Sequence, residues 1–489
     1  MTVGTADHGP RSDRLVPIDA FGLTALQSTQ LVRTPWNARS ADPAPDFRIT
    51  PLQGRPMNPF ARSMTATTRM VRHATIVAVL LAGAGAAHAD AVTDWNEIAE
   101  STVIEATPDP FLQTRSTAIA QVAVFEAVNA VVGGYEPYLG TVTAAPGASP
   151  EAATIAAAHR ALATLHPDQA AELDALRTEA LAEIPDGPCK QAGIAVGEAA
   201  AAAVLAAREN DGSDDDTPYV PGTRPGQYRP TPPDHTPAFR PGLGSVTPFA
   251  IRSAVRFRVR PPPPPLRSGR YARDYDEVKR VGDVDSGDSG ERPHDRADVA
   301  RFYAVADAPL WSDAARQVSK AQGRTLAENA RTFALLNIAI FDAVVACFDS
   351  KYFYDYWRPV TAIRLGDTDG NRRTGADGGW LSYVFTPPFP SYPSGHATFG
   401  GAARHVLEQL LGEDGHAIVL THPQVPDIVL HYGSWKQIAD DIDDGRVYGG
   451  VHYRFDQEAG ARQGRRVGRY VLRHSLRPIG RHAGDGGSS

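Results

Sequence analysis

"LAENARTFALLNIAIFDAVVACFDSKYFYDYWRP", residues 326–359, runs without glycine through helix-favouring and apolar residues into a basic, aromatic tail that ends at Pro359. The stretch predicts one long core helix. In the tail, "KYFYDYWRP", Lys351 and Arg358 stand seven residues apart, which on a continuous helix is two turns and places both cations on one face. Pro359 disfavours helical backbone at Arg358, so the helix is expected to end there. Taken alone, the pair reads first as a solvated basic face.

Helical patterns continue on both sides of this stretch. Upstream, "RSTAIAQVAVFEAVNAV" aligns Ile119, Val122, Phe125 and Val128, and three alanine-rich segments follow, punctuated by Pro167 and by Gly187-Pro188. They predict an N-terminal helical layer over residues 90–210. Downstream, "HATFGGAARHVLEQLLG", "SWKQIADDIDDGRVYGG" and "QEAGARQGRRVGRYVLRHSL" belong to a helical bundle predicted for residues 269–478, with a disordered tail over 479–489. No run of alternating strands bounded by hairpin turns is evident, so the expected fold class is all-α, with the C-terminal bundle carrying the functional motifs.

Residues 211–268 interrupt the pattern with "DGSDDDTPYVPGTRPGQYRPTPPDHTPAFRPG" and "RVRPPPPPLRSG". Such composition forms either a flexible linker or an ordered loop. The interleaved Tyr219, Tyr228, Phe239 and Phe249 favour a loop packed over an active-site mouth, with the five-proline run as a short polyproline II rod.

The 489 residues are 42% hydrophobic and 21% charged, with a net charge of -7. That balance is globular and suggests neither a nucleic acid nor an acidic membrane surface as partner. Cys189 and Cys347 are too few for a disulfide framework or a zinc site; one bridge between them is the only pairing available, and Cys347, within "IFDAVVACF", reads as a buried apolar residue.

Residues 64–89 combine Arg69 and Arg72, an apolar run from Ala74 to Ala87, and Ala87-His88-Ala89. This is the pattern of a secretory signal peptide with an A-x-A cleavage site, its apolar run too short to span a bilayer. The expectation is translation from Met64 or Met70, residues 1–63 being an artefactual or disordered leader, and an exported product with no other apolar stretch long enough to cross a membrane.

Two further clusters carry chemistry. "FPSYPSGHATFGG", residues 389–401, presents Ser394, Gly395 and His396 at the start of a helix. Helix N-termini bind anions, and glycine there admits close approach to a backbone N–H, although a cap with an incidental histidine would look the same. "GRVYGGVHYRFD", residues 445–456, sets Arg446 six positions before His452; alone, His452 reads as a buried structural histidine. Together, Lys351, Arg358, Ser394, Gly395, His396, Arg446 and His452 supply three cations, a hydroxyl, a backbone donor and two imidazoles. That inventory suits a tetrahedral oxyanion.

K-x6-R-P, P-S-G-H and R-x5-H resemble the triple signature of the vanadium-dependent haloperoxidases and the type 2 phosphatidic acid phosphatases. Gly445 replaces the serine usual before the arginine of the third motif. "PPFPSYPSGHATFGG", "GGVHYRFDQEAG" and "YWRPVTAIR" resemble the haloperoxidase branch beyond the shared residues, and "AVTDWNEIA" resembles exported bacterial relatives of the chloroperoxidases. The resemblance implies vanadate bonded to His452, with Lys351, Arg358, Arg446, Ser394 and the Gly395 N–H around its oxygens. His396 and Lys351 would assist chemistry on hydrogen peroxide and halide, with an organic acceptor where the product is halogenated. The alternative it implies is an acid phosphatase acting through a phosphohistidine at His452. Phe389 occupies a position where the chloroperoxidases are similar and algal bromoperoxidases carry histidine, and it serves equally as a packing residue.

Overall fold

The computed structural model describes residues 90–287, 289–306 and 308–479. The leader and signal-peptide expectations for residues 1–89 and the tail from 480 onward lie outside the described residues. Thirteen α-helices are present among the described residues: α1 (Ala91–Ala106), α2 (Pro110–Val132), α3 (Pro150–Leu165), α4 (Ala170–Ala182), α5 (Pro188–Ala207), α6 (Gly269–Val281), α7 (His294–Val305), α8 (Pro309–Ala321), α9 (Leu326–Tyr354), α10 (Pro359–Arg364), α11 (Gly395–Leu411), α12 (Trp435–Tyr448) and α13 (Arg454–His474). Side-chain caps account for many of their starts. Asp90, Asp109, Ser149 and Ser394 each accept a backbone N–H from the first turn, and Thr325 and Glu328 form a reciprocal capping box ahead of α9.

The long α9 is the axis of the fold. Twenty of its side chains are buried, among them Phe333, Leu336, Ile340, Phe341 and Phe348, with α2 on one side and α11 and α13 on the other. Two helices, α5 and α9, have the length and hydropathy of a membrane-crossing segment, contrary to the expectation that no apolar stretch beyond the signal peptide would be long enough. For α9 the apolarity has a structural cause, since 89% of its most apolar window is covered by the rest of the fold.

α13 lies on α11 through a stripe of glycines. A Cβ at Gly460 would stand 2.6 Å from the Ser394 carbonyl oxygen, one at Gly464 would collide with Thr398 O, and one at Gly468 would stand 2.8 Å from Ala402 O. Backbone thus meets backbone along three turns. This brings the start of α13 against the start of α11.

Two further features depart from the expectations. The helix carrying Lys351 stops at Tyr354, four residues before Arg358: Asp355 adopts a left-handed conformation (φ 50°) and returns its N–H to Lys351 O at 2.8 Å. Lys351 and Arg358 therefore do not share a helical face; a chain reversal sets them together. In addition, a hairpin of β1 (Asp414–Thr421) and β2 (Val429–Ser434) separates α11 from α12, pairing Ile418 with Tyr432 and Leu420 with Leu430. Ile418 and Leu420 face the core while Val419 is exposed, an alternation too short to stand out among helices.

The 211–268 segment is an ordered strap over the C-terminal end of α9. Tyr228 N–H donates to Asp355 O at 2.8 Å, Trp357 N–H to Gly226 O at 3.0 Å, and Phe239 N–H to Pro388 O at 2.7 Å. Asp342, fully buried on α9, accepts the N–H groups of Phe249, Ala250 and Ile251 at 2.6–2.8 Å, and Arg258 grips Asp349 through two bonds of 2.8 Å. All four interleaved aromatics pack: Tyr219 on Tyr228 and Tyr352, Phe239 on Phe348 and Phe389, Phe249 on Phe341. Cys189 is exposed and Cys347 buried, and they do not pair.

Candidate active site

The seven residues singled out from the sequence converge on one buried point. Lys351 comes from the last turn of α9, Arg358 from the α9–α10 link, Ser394, Gly395 and His396 from the start of α11, Arg446 from the last turn of α12, and His452 from the link to α13. Lys351, Arg358 and Ser394 have no solvent exposure, and Arg446 and His452 have 2% and 1%. His396 is half-buried.

Backbone carbonyls orient the cations. Lys351 Nζ donates to Pro390 O at 2.8 Å and Ser391 O at 3.0 Å. Arg358 donates from Nε to Phe389 O at 2.7 Å and from Nη1 to Val451 O at 2.8 Å, and Arg446 Nη1 donates to Tyr303 O at 2.7 Å. The centroid of the Phe389 ring lies 4.9 Å from both Lys351 Nζ and Arg358 Cζ, so one aromatic ring serves two cations.

His452 is held in a single tautomer. Its Nδ1–H donates to Asp456 Oδ2 at 2.8 Å, and its Nε2 accepts from Arg358 Nη1 at 3.1 Å. The same Asp456 oxygen accepts Ser391 Oγ–H at 2.6 Å and Tyr453 N–H at 3.2 Å. Asp456 and Ser391 were absent from the sequence-derived set. The signal for Asp456 lay in "HYRFD": a carboxylate four residues beyond a candidate ligand histidine at a helix start, where an acid also caps the first turn. Nothing in the local sequence marks Ser391.

Burial dominates the titration of the cluster. It pushes Lys351 and Arg358 down from their ordinary values, the Arg358 and Arg446 charges adding to the effect on Lys351. It also holds His452 and His396 well below the ordinary imidazole range, with the Arg358, Lys351 and Arg446 charges reinforcing it, so both rings are neutral. The Asp456 carboxyl is pushed up by its burial, against the pull of the Ser391 hydrogen bond and Lys351.

Three cations around one carboxylate form a donor set suited to an oxyanion. Arg358 Nη2 is buried without a hydrogen bond, and a Cβ at Gly395 would meet nothing closer than Lys351 Cε at 3.9 Å, so the first N–H groups of α11 are open to an approaching group. The Ser394 hydroxyl caps α11 through Ala397 N–H at 3.4 Å and retains its own proton to donate. Vanadate and phosphate both fit this set.

Residues 331–481 match the family described as "VCPO second helical-bundle domain", a range that contains all seven residues. The chain is 28% identical over 179 residues to a vanadium chloroperoxidase of Curvularia inaequalis and 36% identical over 83 residues to a vanadium-dependent bromoperoxidase of Ascophyllum nodosum. These alignments cover 27% and 14% of this chain, and span 29% and 15% of the two relatives' own lengths. The fold is similar to a bacterial vanadium-dependent iodoperoxidase, with a TM-score of 0.69 at 24% identity over 80% of this chain and 97% of that one. A bacterial vanadium-dependent chloroperoxidase in its apo form gives 0.60 at 18%, over 75% and 95%.

Proposed function

Because residues 331–481 carry the second helical-bundle domain of the vanadium chloroperoxidase family, we propose that the protein is a vanadate-dependent haloperoxidase. It oxidises halide with hydrogen peroxide to hypohalous acid or, with an organic acceptor, to a halogenated product. The observation that carries the proposal is His452 Nε2, an unprotonated nitrogen fixed by Asp456 behind it and ringed by Lys351, Arg358 and Arg446.

In this reading His452 Nε2 would hold vanadate, and Lys351, Arg358, Arg446, Ser394 Oγ and the Gly395 N–H would hold its oxygens. Bound vanadate supplies a Lewis acid that makes hydrogen peroxide electrophilic toward halide without changing oxidation state. His396, neutral, half-buried and hydrogen-bonded to the Ala306 backbone, would accept and return a proton at its other ring nitrogen. Lys351 adds positive charge beside the reacting oxygens. Phe389, packed at a tilt between Phe239 of the strap and Phe348 of α9, keeps the cation wall dry. The basic, apolar and A-x-A pattern of residues 64–89 supports export, which N-terminal sequencing of secreted protein tests: a mature chain beginning at Met1 overturns it.

The deciding assay reconstitutes the purified protein with orthovanadate and measures bromination of a phenolic dye with hydrogen peroxide, beside phosphate-ester hydrolysis without vanadate. Halogenation that needs both vanadate and peroxide is the expected result. Robust hydrolysis without any halogenation would assign the cage to phosphoryl transfer through His452 instead.

A further inference from the structure

The net charge of -7 conceals a strongly basic face. Between residues 461 and 474 of α13, every exposed position is basic: Arg462, Arg465, Arg466, Arg469, Arg473 and His474. The opposite face of the helix is the glycine stripe on α11, so the arginines form one outward row. Among the described ion pairs, Arg462 reaches Glu458 at 3.7 Å, a carboxylate already bonded to Arg270, and Arg465, Arg469 and Arg473 have no carboxylate partner. Arg462–Arg466, Arg465–Arg469 and Arg469–Arg473 are like-charge pairs at helical spacing, which destabilise a helix that has no counter-charge. A merely solvated helix face intersperses acids with its bases; this one does not.

The strap extends the patch. Phe257 packs edge-on to Tyr470 at 5.4 Å and Arg466 Nη2 donates to Arg256 O at 3.2 Å, so residues 252–260 border the arginine row and add the exposed Arg252, Arg256 and Arg260. Two apolar side chains protrude here: Val255 at 57% exposure, and Phe353 at 58%, whose ring carries the Arg258 guanidinium at 3.6 Å. Guanidinium groups bind phosphate through paired N–H donors, and apolar tips among basic residues are what an interfacial surface inserts between headgroups.

We propose that this face docks the protein on an anionic lipid bilayer, the α13 arginines meeting headgroup phosphates and Val255 and Phe353 entering the headgroup layer. The surface shares α9 and α13 with the oxyanion cage but uses their exposed side chains, none of which is a cage residue. Charge complementarity and the protruding apolar pair together favour a bilayer over a soluble polyanion.

Co-sedimentation of the full chain with vesicles tests this, comparing phosphatidylcholine alone with phosphatidylcholine containing about a third phosphatidylglycerol. Binding is expected only to the anionic vesicles, and should largely reverse on going from about 0.1 M to about 1 M salt, which shortens the screening length from about 10 Å to about 3 Å. Replacing Arg465→Glu, Arg469→Glu and Arg473→Glu together should weaken binding at least about a hundredfold, each basic residue near the surface being worth about fivefold. The glutamine counterpart keeps the test standing if the glutamate variant misfolds. Val255→Ser with Phe353→Ser should remove the salt-resistant remainder, and the arginine variants should keep the halogenating activity. Equal binding to neutral vesicles, undiminished binding by the arginine variants, or capture by DNA or polyphosphate with no binding to vesicles would each overturn the proposal.

Discussion

His452 Nδ1 stands 2.8 Å from Asp456 Oδ2, and this contact fixes which nitrogen of the ring faces the cage. Asp456 sits in the first turn of α13, where it also caps Tyr453 N–H, so folding of the helix and orientation of the imidazole are one event. Ser391 completes the arrangement from the opposite side by donating to the same oxygen.

The first prediction concerns that carboxylate. Asp456→Asn keeps the volume but replaces an acceptor-only carboxylate with an amide that can turn its N–H2 toward Nδ1, so Nδ1 is no longer obliged to carry the proton and Nε2 is less basic. Vanadate affinity should fall about 10- to 100-fold, the usual scale for a partner behind a ligand histidine, while helix content is retained. Equilibrium titration of vanadate measures it. Wild-type affinity in the variant would show that Asp456 serves the helix cap alone.

A second prediction follows from Lys351, whose pKa burial lowers from 10.5 to about 7 in the anion-free site, with the Arg358 and Arg446 charges adding to the effect. A group of this sign makes the anion-free fold less stable where the lysine is charged in the cage, and that cost is relieved as pH rises above about 7. A bound oxyanion restores the pKa toward 10.5. Between those values binding must take up a proton, so affinity falls with rising pH by at most about tenfold per unit. Calorimetry of vanadate or phosphate binding in buffers of different ionisation enthalpy reads the proton count directly. Uptake should vanish in Lys351→Met, and uptake that persists there would assign the proton to another group.

Much of the site was legible because its residues lie in three short motifs whose chemistry is local: a capped helix start, a proline-stopped cation pair and an arginine–histidine link. What the sequence hid is geometric. Seven-residue spacing put Lys351 and Arg358 on one helical face, yet the left-handed Asp355, clamped by Tyr219 and Tyr228 from more than a hundred residues away, breaks the helix and joins the pair by a reversal. Tertiary bonds outweighed periodicity there. Ser391 was invisible for a related reason, since its partner Asp456 is 65 residues distant. The β1–β2 hairpin was masked by its shortness, and the basic face of α13 by a net charge that averages over the whole chain.

A third prediction tests the close helix contact that assembles the cage. Gly464→Ala would drive a methyl group into the Thr398 carbonyl, a backbone atom that cannot swing aside. Such overpacking costs about 1–3 kcal/mol, and here the displaced backbone belongs to α11, which carries Ser394, Gly395 and His396. Denaturant unfolding should show the loss of stability, and vanadate affinity should fall with it. Gly415→Ala, with nothing within 4 Å but a φ of +79°, is the control: it strains the bulged start of β1 and should leave vanadate affinity unchanged.

The last prediction addresses Phe389, which the sequence left divided between packing and function. Its ring centroid lies 4.9 Å from both Lys351 Nζ and Arg358 Cζ, and the ring is itself braced by Phe348 at 5.2 Å and Phe239 at 6.3 Å. Phe389→Leu keeps apolar volume but removes the negative ring face, worth about 0.5–2 kcal/mol to each desolvated cation. Without it the Lys351 ammonium is less stable still, so its pKa drops further and the onset of the affinity loss moves to lower pH. Phe389→Tyr keeps the ring and should restore the wild-type profile. If the leucine variant matches wild type in both vanadate affinity and its pH dependence, Phe389 does no more than fill space between the strap and α9.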